Sequence, residues 1–367
     1  MRIGIDAHMV GSRETGNETY CLGLIEGLEQ IEDHNQYMVY LTSPTVLPSV
    51  NGHGRLLRRM LRRGSSAWRL LMGFAQASRS DRLDVLHVTY NVPFFTRCPL
   101  VVSVHDISYV HFPEFFSKRD LRLLSTYVPY SLKAARHVLT LSESAAQDIE
   151  RVYGVPRSKI SVVPLAARAP YTSMAEPTRV AHVREIYGLS EPYVLAVGNL
   201  QPRKNLLRLV EAVAQLPAWA SDLKLALVGK AQWRESDIYR RVTELGLQDR
   251  VVFTGYVSDE DLAHLYHGSH ALVYPSLYEG FGLPVLEAMS CGTPVICSNT
   301  SSMPEVAGDA AIMIDPLNIS EMADAIGSVV KSNSLREQLR HLGFARAASF
   351  SWLKTACQTL KVYEQCA

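Results

Sequence analysis

The chain has 367 residues, of which 47% are hydrophobic and 20% charged, with a formal net charge of +1. That length supports two domains of ordinary size, each with its own core, and the composition is that of a soluble globular protein. The near-neutral balance excludes a global attraction to nucleic acid or to a membrane. No apolar stretch approaches the length of a membrane span, and Arg2 and Asp6 interrupt what would have to be the apolar run of a signal peptide. Cys21, Cys98, Cys291, Cys297, Cys357 and Cys366 form no C-x-x-C pair and no metal-like spacing, so reduced thiols in the cytoplasm are expected.

Short β-like runs alternate with helical stretches, the pattern of parallel α/β units. In the first half, strands are expected near Arg2–Asp6, Tyr37–Thr42, Val85–Val88, Leu100–His105, His137–Leu141 and Ile160–Val163. In the second half they are expected near Tyr193–Val197, Lys224–Val228, Val251–Phe253, Ala271–Tyr274, Pro294–Cys297 and Ala311–Ile314. About six strands in each half suffice for a doubly wound sheet. The stretch Ala166–Pro192 is rich in Ala, Pro and polar residues with weak periodicity, which places a hinge near 165–190 and domains at 1–170 and 171–350.

The first strand, R-I-G-I-D, is followed by a loop with Gly11 and Gly16, then a helix with Tyr20, Leu24, Leu28 and Ile31 in one stripe. No G-x-G-x-x-G follows that strand, which counts against a nicotinamide oxidoreductase. Between His34 and Ser80 there is no acid, while Arg55, Arg58, Arg59, Arg62, Arg63, Arg69 and Arg79 interleave with apolar residues including Trp68. Such a basic amphipathic stretch suits an anionic leaflet, at about 1 kcal/mol per basic residue. The same residues also read as a solvated basic helix or as a groove for an acidic acceptor. Further on, V-V-S-V-H-D puts His105 and Asp106 at the carboxyl end of an apolar strand, and no G-x-S-x-G elbow accompanies them to make a hydrolase.

The second half carries more specific chemistry. After the strand Y-V-L-A-V-G, the run G-N-L-Q-P-R-K-N-L puts Arg203 and Lys204 where a loop turns into a helix, suited to a diphosphate gaining charge as it leaves. In V-S-D-E-D-L, Ser258 followed by Asp261 reads as a helix cap rather than as a metal-binding D-x-D, so no metal is expected. Finally, S-L-Y-E-G-F-G-L-P-V-L-E-A-M-S-C-G sets Glu279 in a loop at the end of a strand and Glu287 one turn inside the helix that follows. Gly280 and Gly282 let backbone approach a ligand, and free N–H groups at the helix start favour an anion such as a diphosphate. A carboxylate beside that anion would repel it, so Glu287 suits neutral hydroxyls such as a ribose diol.

The segment E-G-F-G-L-P-V-L-E-A-M-x-C-G-T-P-V-I resembles the donor-site signature of the retaining glycosyltransferases of family 4. The resemblance implies an α/β GT-B fold, two Rossmann-like domains facing a cleft, with the first binding acceptor and the second the nucleotide sugar. The helix at 351–366, with Trp352, Leu353, Cys357, Leu360 and Tyr363 at helical spacing, then either packs on its own domain or crosses back to the first. The resemblance makes Arg203 and Lys204 a diphosphate clamp, although Asn199 stands where many members have a further Arg. It places the backbone of Tyr256 and Val257 along the nucleotide base, Glu287 on the ribose, and Glu279, Gly280, Phe281, Gly282 and Leu283 around the donor. Thr15–Tyr20, with Gly16, is similar to the family's glycine turn near donor phosphate and acceptor. His105 is implied to touch the donor sugar, with Asp106 able to orient the acceptor hydroxyl. The motif forms look most like bacterial O-antigen mannosyl- and rhamnosyltransferases. They imply GDP-mannose or a GDP-deoxyhexose as donor, a glycan or lipid-linked glycan as acceptor, no cofactor, and peripheral contact with the inner membrane face. UDP-sugars stand second, and a GT-B epimerase, phosphorylase or non-catalytic scaffold are the readings of another class.

Overall fold

A computed structural model describes residues 1–11, 15–43, 55–61, 66–190, 192–230 and 235–367. The chain forms two compact units, residues 1–166 with 351–367, and residues 167–350. The first is built on β1 (Arg2–Asp6), β2 (Gln36–Leu41), β3 (Leu56–Met60), β4 (Val85–Thr89), β5 (Leu100–Ser103), β6 (His137–Thr140) and β7 (Ile160–Val162). These pair in parallel in the order β3-β2-β1-β4-β5-β6-β7. Helices cover the sheet, so β4 (V-L-H-V-T) and β5 (L-V-V-S) are buried along their whole length and mostly apolar on both faces rather than alternating. The second unit carries β8 (Tyr193–Val197), β9 (Lys224–Val228), β10 (Val251–Gly255), β11 (Ala271–Tyr274), β12 (Val295–Ser298) and β13 (Ala311–Ile314), parallel in the order β10-β9-β8-β11-β12-β13. Each unit has its own apolar cluster, Val194 to Leu339 in one and Met38 to Ile160 in the other.

Three sequence expectations need correction. The Arg-rich segment is not one amphipathic helix: Leu56–Met60 forms the edge strand β3, whose exposed Arg58 and Arg59 guard the sheet edge against pairing. Arg55 pairs with Asp33 at 3.0 Å and Arg59 with Asp81 at 3.3 Å, while Arg69 is buried against Asp6 and has no access to a lipid surface. Trp68 is half-buried, and Arg62 and Arg63 lie outside the described residues. The Thr15–Tyr20 run is helix rather than glycine turn. Gly16 lies within the helix Thr15–Glu29, and among the described residues a Cβ there would meet nothing within 4 Å, so no neighbour in the chain demands glycine. Ile31 falls beyond that helix. The boundary between the units, at 166/167, falls within the stretch expected as a hinge, and the helix Pro177–Ile186 there has weak periodicity because Val183 is its single buried residue.

The last helix, Trp352–Cys366, belongs to the first unit, and its buried face is Trp352, Ala356, Thr359, Tyr363 and Cys366, with Leu353 and Cys357 turned outward. Its seat is cut by two glycines of the helix Thr15–Glu29. A Cβ on Gly23 would lie 2.2 Å from the Trp352 ring, and one on Gly27 2.3 Å from the Trp352 carbonyl. Small residues at that four-residue spacing let the two backbones meet. Tyr363 Oη then reaches His87 Nδ1 at 2.6 Å.

Candidate active site

In the second unit the chain builds β9 and β10 on one side of β8, and β12 and β13 on the far side of β11. The switch point therefore lies between β8 and β11, where open parallel sheets hold ligands outside the carboxyl ends. Both candidate loops leave from this edge. After β8, Gly198 takes φ 134°, and a Cβ on it would stand 2.9 Å from Lys204 Cε, so glycine is required by backbone and by space. Arg203 and Lys204 fall in a 3-10 turn, Pro202–Lys204, one residue before the helix Leu206–Ala214. Asn205, left-handed at φ 58°, pins that turn by donating to the carbonyls of Pro275 at 3.1 Å and Pro316 at 2.6 Å.

After β11, the loop carries Glu279 back toward those cations. Arg203 Nη1 lies 2.8 Å from Glu279 Oε2 and Lys204 Nζ 2.7 Å from Oε1. Lys204 Nζ also donates to Tyr274 Oη at 2.5 Å, and Arg203 Nη1 donates to the Tyr278 carbonyl at 2.5 Å. Ser301 and Ser302 hold the loop, Ser301 Oγ accepting from Glu279 N at 3.0 Å and Ser302 Oγ donating to the carbonyls of Glu279 and Phe281. Burial alone would raise the Glu279 carboxyl, but the Arg203 and Lys204 charges override it and bring it down to about 2. One carboxylate thus faces two cations, leaving a net positive charge at the switch point.

Gly282, at φ 116°, opens the helix Leu283–Ser290, with Glu287 one turn in. Glu287 is 8% exposed and accepts a hydrogen bond from Tyr266 Oη at 3.3 Å. Burial, then the neighbouring Asp259 charge, push its carboxyl up to about 8, with the Tyr266 bond opposing. Asp259 opens the helix Asp259–Gly268, which Ser258 caps by accepting from Asp261 N at 3.1 Å, and it takes the Tyr171 hydroxyl at 3.0 Å. Tyr256 is 52% exposed beside Lys230, whose Nζ is 5.2 Å from the ring centroid, whereas Val257 is buried.

In the first unit His105 follows β5 and is 7% exposed, and its Nε2 has no hydrogen-bond partner among the described residues. Its ring stands edge-to-face with Tyr20 at 4.6 Å and Tyr90 at 5.5 Å. Burial, partly offset by Asp106, pushes its pKa down to about 4, which makes it a neutral partner for hydroxyls. Beneath it Ser103 Oγ contacts Tyr20 Oη at 2.8 Å and His87 Nε2 at 2.7 Å. One Asp106 oxygen is committed to Ser108 N at 2.8 Å.

Comparison with known proteins gives these features a family. The profile "Glycosyl transferases group 1" matches residues 183–345, and "Glycosyltransferase Family 4" matches residues 15–167. The chain is 36% identical over 321 residues to O-antigen chain mannosyltransferase B of Escherichia coli, covering 86% of this chain and 84% of that one. It belongs to the family 4 glycosyltransferases. It is also 28% identical over 348 residues to O-antigen chain mannosyltransferase RfbU of Salmonella typhimurium, covering 88% and 92% of the two chains. Its fold matches Anabaena Alr3699/HepE in complex with UDP-glucose, with a TM-score of 0.77 at 20% identity over 100% of both chains. Two parallel-sheet units and these neighbours make the fold GT-B.

Within this glycosyltransferase the structure brings Arg203, Lys204 and Glu279 into direct contact and sets Glu287 among tyrosines. The sequence reading missed Tyr274, Asn205, Ser301, Ser302, Tyr171, Tyr266 and Lys230. Their signals were weak, because single Tyr and Ser residues are common in loops. The left-handed Asn205 and Ser301 leave no mark beyond a polar residue at a turn.

Proposed function

We propose that this glycosyltransferase moves a hexose from a nucleotide-diphosphate sugar to a glycan hydroxyl with retention of configuration, without a required metal. The carrying observation is the Arg203–Lys204–Glu279 cluster at the switch point, eight residues before a buried Glu287. Arg203 and Lys204 supply two fixed charges to a diphosphate whose negative charge grows as the glycosidic bond breaks. N–H groups at the start of the helix Leu283–Ser290 add to them. Glu287 accepts hydrogen bonds from the ribose hydroxyls, Tyr256 lies along the base, and Glu279 and His105 orient the sugar. The acceptor hydroxyl attacks the face that the diphosphate leaves, and a diphosphate oxygen takes its proton.

The relatives' names, O-antigen chain mannosyltransferases, favour mannose as the sugar and O-antigen as the glycan; our reading adds a GDP-sugar donor, with a deoxyhexose as the other sugar, and action at the inner membrane face. Of the basic segment, the exposed Arg58, Arg59, Met60, Leu71, Met72 and Arg79 would be available to such a surface. Among the described residues no helix is long and apolar enough to cross a membrane. A thermal-shift screen against GDP, UDP, ADP and dTDP, with and without magnesium, tests the reading. A nucleotide at a hundred times its Kd stabilises by about 2.7 kcal/mol, a shift of several degrees. GDP should give the largest shift, equal in both arms. A shift with none of the four would overturn the transferase reading, and one seen only with magnesium would overturn metal independence.

A further inference from the structure

The run Y-C-L-G-L-I-E-G in the helix Thr15–Glu29 sets Tyr20, Gly23 and Gly27 at three- and four-residue spacing, hence on one face. The two glycines admit the last helix, whose buried face begins with Trp352 and runs to Tyr363. Between these two helices and the sheet lies a row of polar contacts. Tyr363 Oη is 2.6 Å from His87 Nδ1 on β4, His87 Nε2 is 2.7 Å from Ser103 Oγ on β5, and Ser103 Oγ is 2.8 Å from Tyr20 Oη. All four residues are 2% exposed or less. Burial holds both phenols well above their usual range and, with the His105 charge second, brings His87 down to about 3. The phenols therefore keep their protons and His87 is neutral, one ring nitrogen donating and the other accepting. Donation runs one way through Tyr363, His87 and Ser103, and Tyr20 completes the row.

Packing alone does not call for such a row, since apolar side chains would fill the same space without removing polar groups from water. Fully bonded, however, it fixes a single arrangement. What it fixes lies at its end. The Tyr20 ring stands edge-to-face against His105 at 4.6 Å, where the chain leaves β5. His105 Nε2 is buried with no hydrogen-bond partner among the described residues, so no bond at that nitrogen aims the imidazole. The ring is held by the tyrosines on which it leans. We propose that Tyr20 and Tyr363 are positioning residues for His105, the row Tyr363–His87–Ser103–Tyr20 tying the orientation of the imidazole to the docking of the last helix. This rests on the reading that His105 orients the donor sugar, and extends it to the residues that aim His105.

A double-mutant cycle on the full chain tests it, with GDP-mannose as donor and an oligosaccharide ending in α-mannose as acceptor. Tyr363→Phe removes one oxygen and keeps the packed ring. It should lower kcat by roughly two- to thirtyfold, the range for changes along a coupled network, and leave the GDP thermal shift unchanged. His105→Ala should lower kcat by itself, and adding Tyr363→Phe to it should cost less than about a further twofold. A tyrosine that only supports the fold would lose the same factor in both backgrounds; that result, or full activity in Tyr363→Phe, would overturn the proposal. Full activity in His105→Ala would remove the sugar contact itself, and the proposal with it. If Tyr363→Phe folds poorly, Tyr20→Phe carries the same cycle. In ¹⁵N-histidine-labelled protein without substrate, the His105 ring signals should shift in the Phe variant, and unmoved signals would also sink the proposal. No turnover and no nucleotide shift in the unaltered chain would instead count against the transferase reading, and the NMR comparison would still judge the row.

Discussion

Glu287 offers the sharpest test, because its environment and its proposed task demand opposite protonation states. With the carboxyl pushed up to about 8 by burial and Asp259, it is protonated in most molecules at neutral pH. At pH 7 about one molecule in ten carries the charge, one pH unit below the pKa. Two ribose hydroxyls that donate to Glu287 need the ionised form, so apparent affinity follows the ionised fraction. GDP should then bind about tenfold more weakly at pH 7 than at pH 9, and about tenfold more weakly again at pH 6, near 1.4 kcal/mol per unit. Binding at pH 7 should also release close to one proton, since most sites must give one up. Titration calorimetry at several pH values, in buffers of different ionisation enthalpy, measures both. Glu287→Gln removes this titration while leaving the nucleotide's own phosphate titration in place, so the difference between the two profiles isolates Glu287. Identical slopes and identical proton release in the two proteins would refute the ribose assignment.

Further outcomes follow from the same groups. Glu287 has a folded pKa above its unfolded value, so its contribution is full below about pH 4.5 and is lost as pH rises toward 8; Glu287→Gln should flatten that part of the stability curve. Glu279 runs the other way: lowered to about 2, it contributes fully above its unfolded value and less as acid is added. Glu279→Gln should cost roughly 3 kcal/mol in denaturant melts at pH 7, a difference that shrinks toward pH 2. Lys204→Ala should cut turnover at least tenfold with the far-UV spectrum intact, and full activity would remove Lys204 from the clamp. Gly23→Leu should lower the melting temperature by displacing Trp352, and Trp352→Ala in the same chain should recover part of the loss. Equal losses in single and double variants would show that this contact does not seat the last helix.

The strands were legible wherever burial on both faces writes a mostly apolar run, as in Leu100–Ser103 and Ala271–Tyr274. β3 was hidden because L-L-R-R-M lies at an edge with three of its five residues exposed, and its arginines look like a membrane signal. Arg69 misled for a related reason: its partner Asp6 is 63 residues earlier in the chain, and no local pattern reports a pairing made by topology. The seat of the last helix was written in G-L-I-E-G, but a glycine pair at helical spacing is also what a flexible loop contains. Glu279 and Glu287 stood out through their motif. What could not be read was that Arg203 and Lys204 would touch one of the two carboxylates directly, because the loops after β8 and β11 become neighbours only once the sheet order is known.

That adjacency explains why two glutamates eight residues apart titrate on opposite sides of neutrality. Both are buried to the same degree, so burial raises both, and the partners decide the outcome. Glu279 meets a guanidinium and an ammonium and stays charged, which keeps Arg203 and Lys204 fixed while no diphosphate is bound. On the proposed function, a diphosphate, carrying more negative charge than one carboxylate, would compete for the same N–H donors. Glu287 meets only hydroxyls and another acid, Asp259, and so rests neutral. Its charge becomes favourable when ligand hydroxyls replace the missing counter-ion. On the proposed function, a single strand-loop-helix segment would hold one carboxylate that preorganises cations and one that ionises on binding. Exchanging the two environments, not the two residues, would exchange the roles.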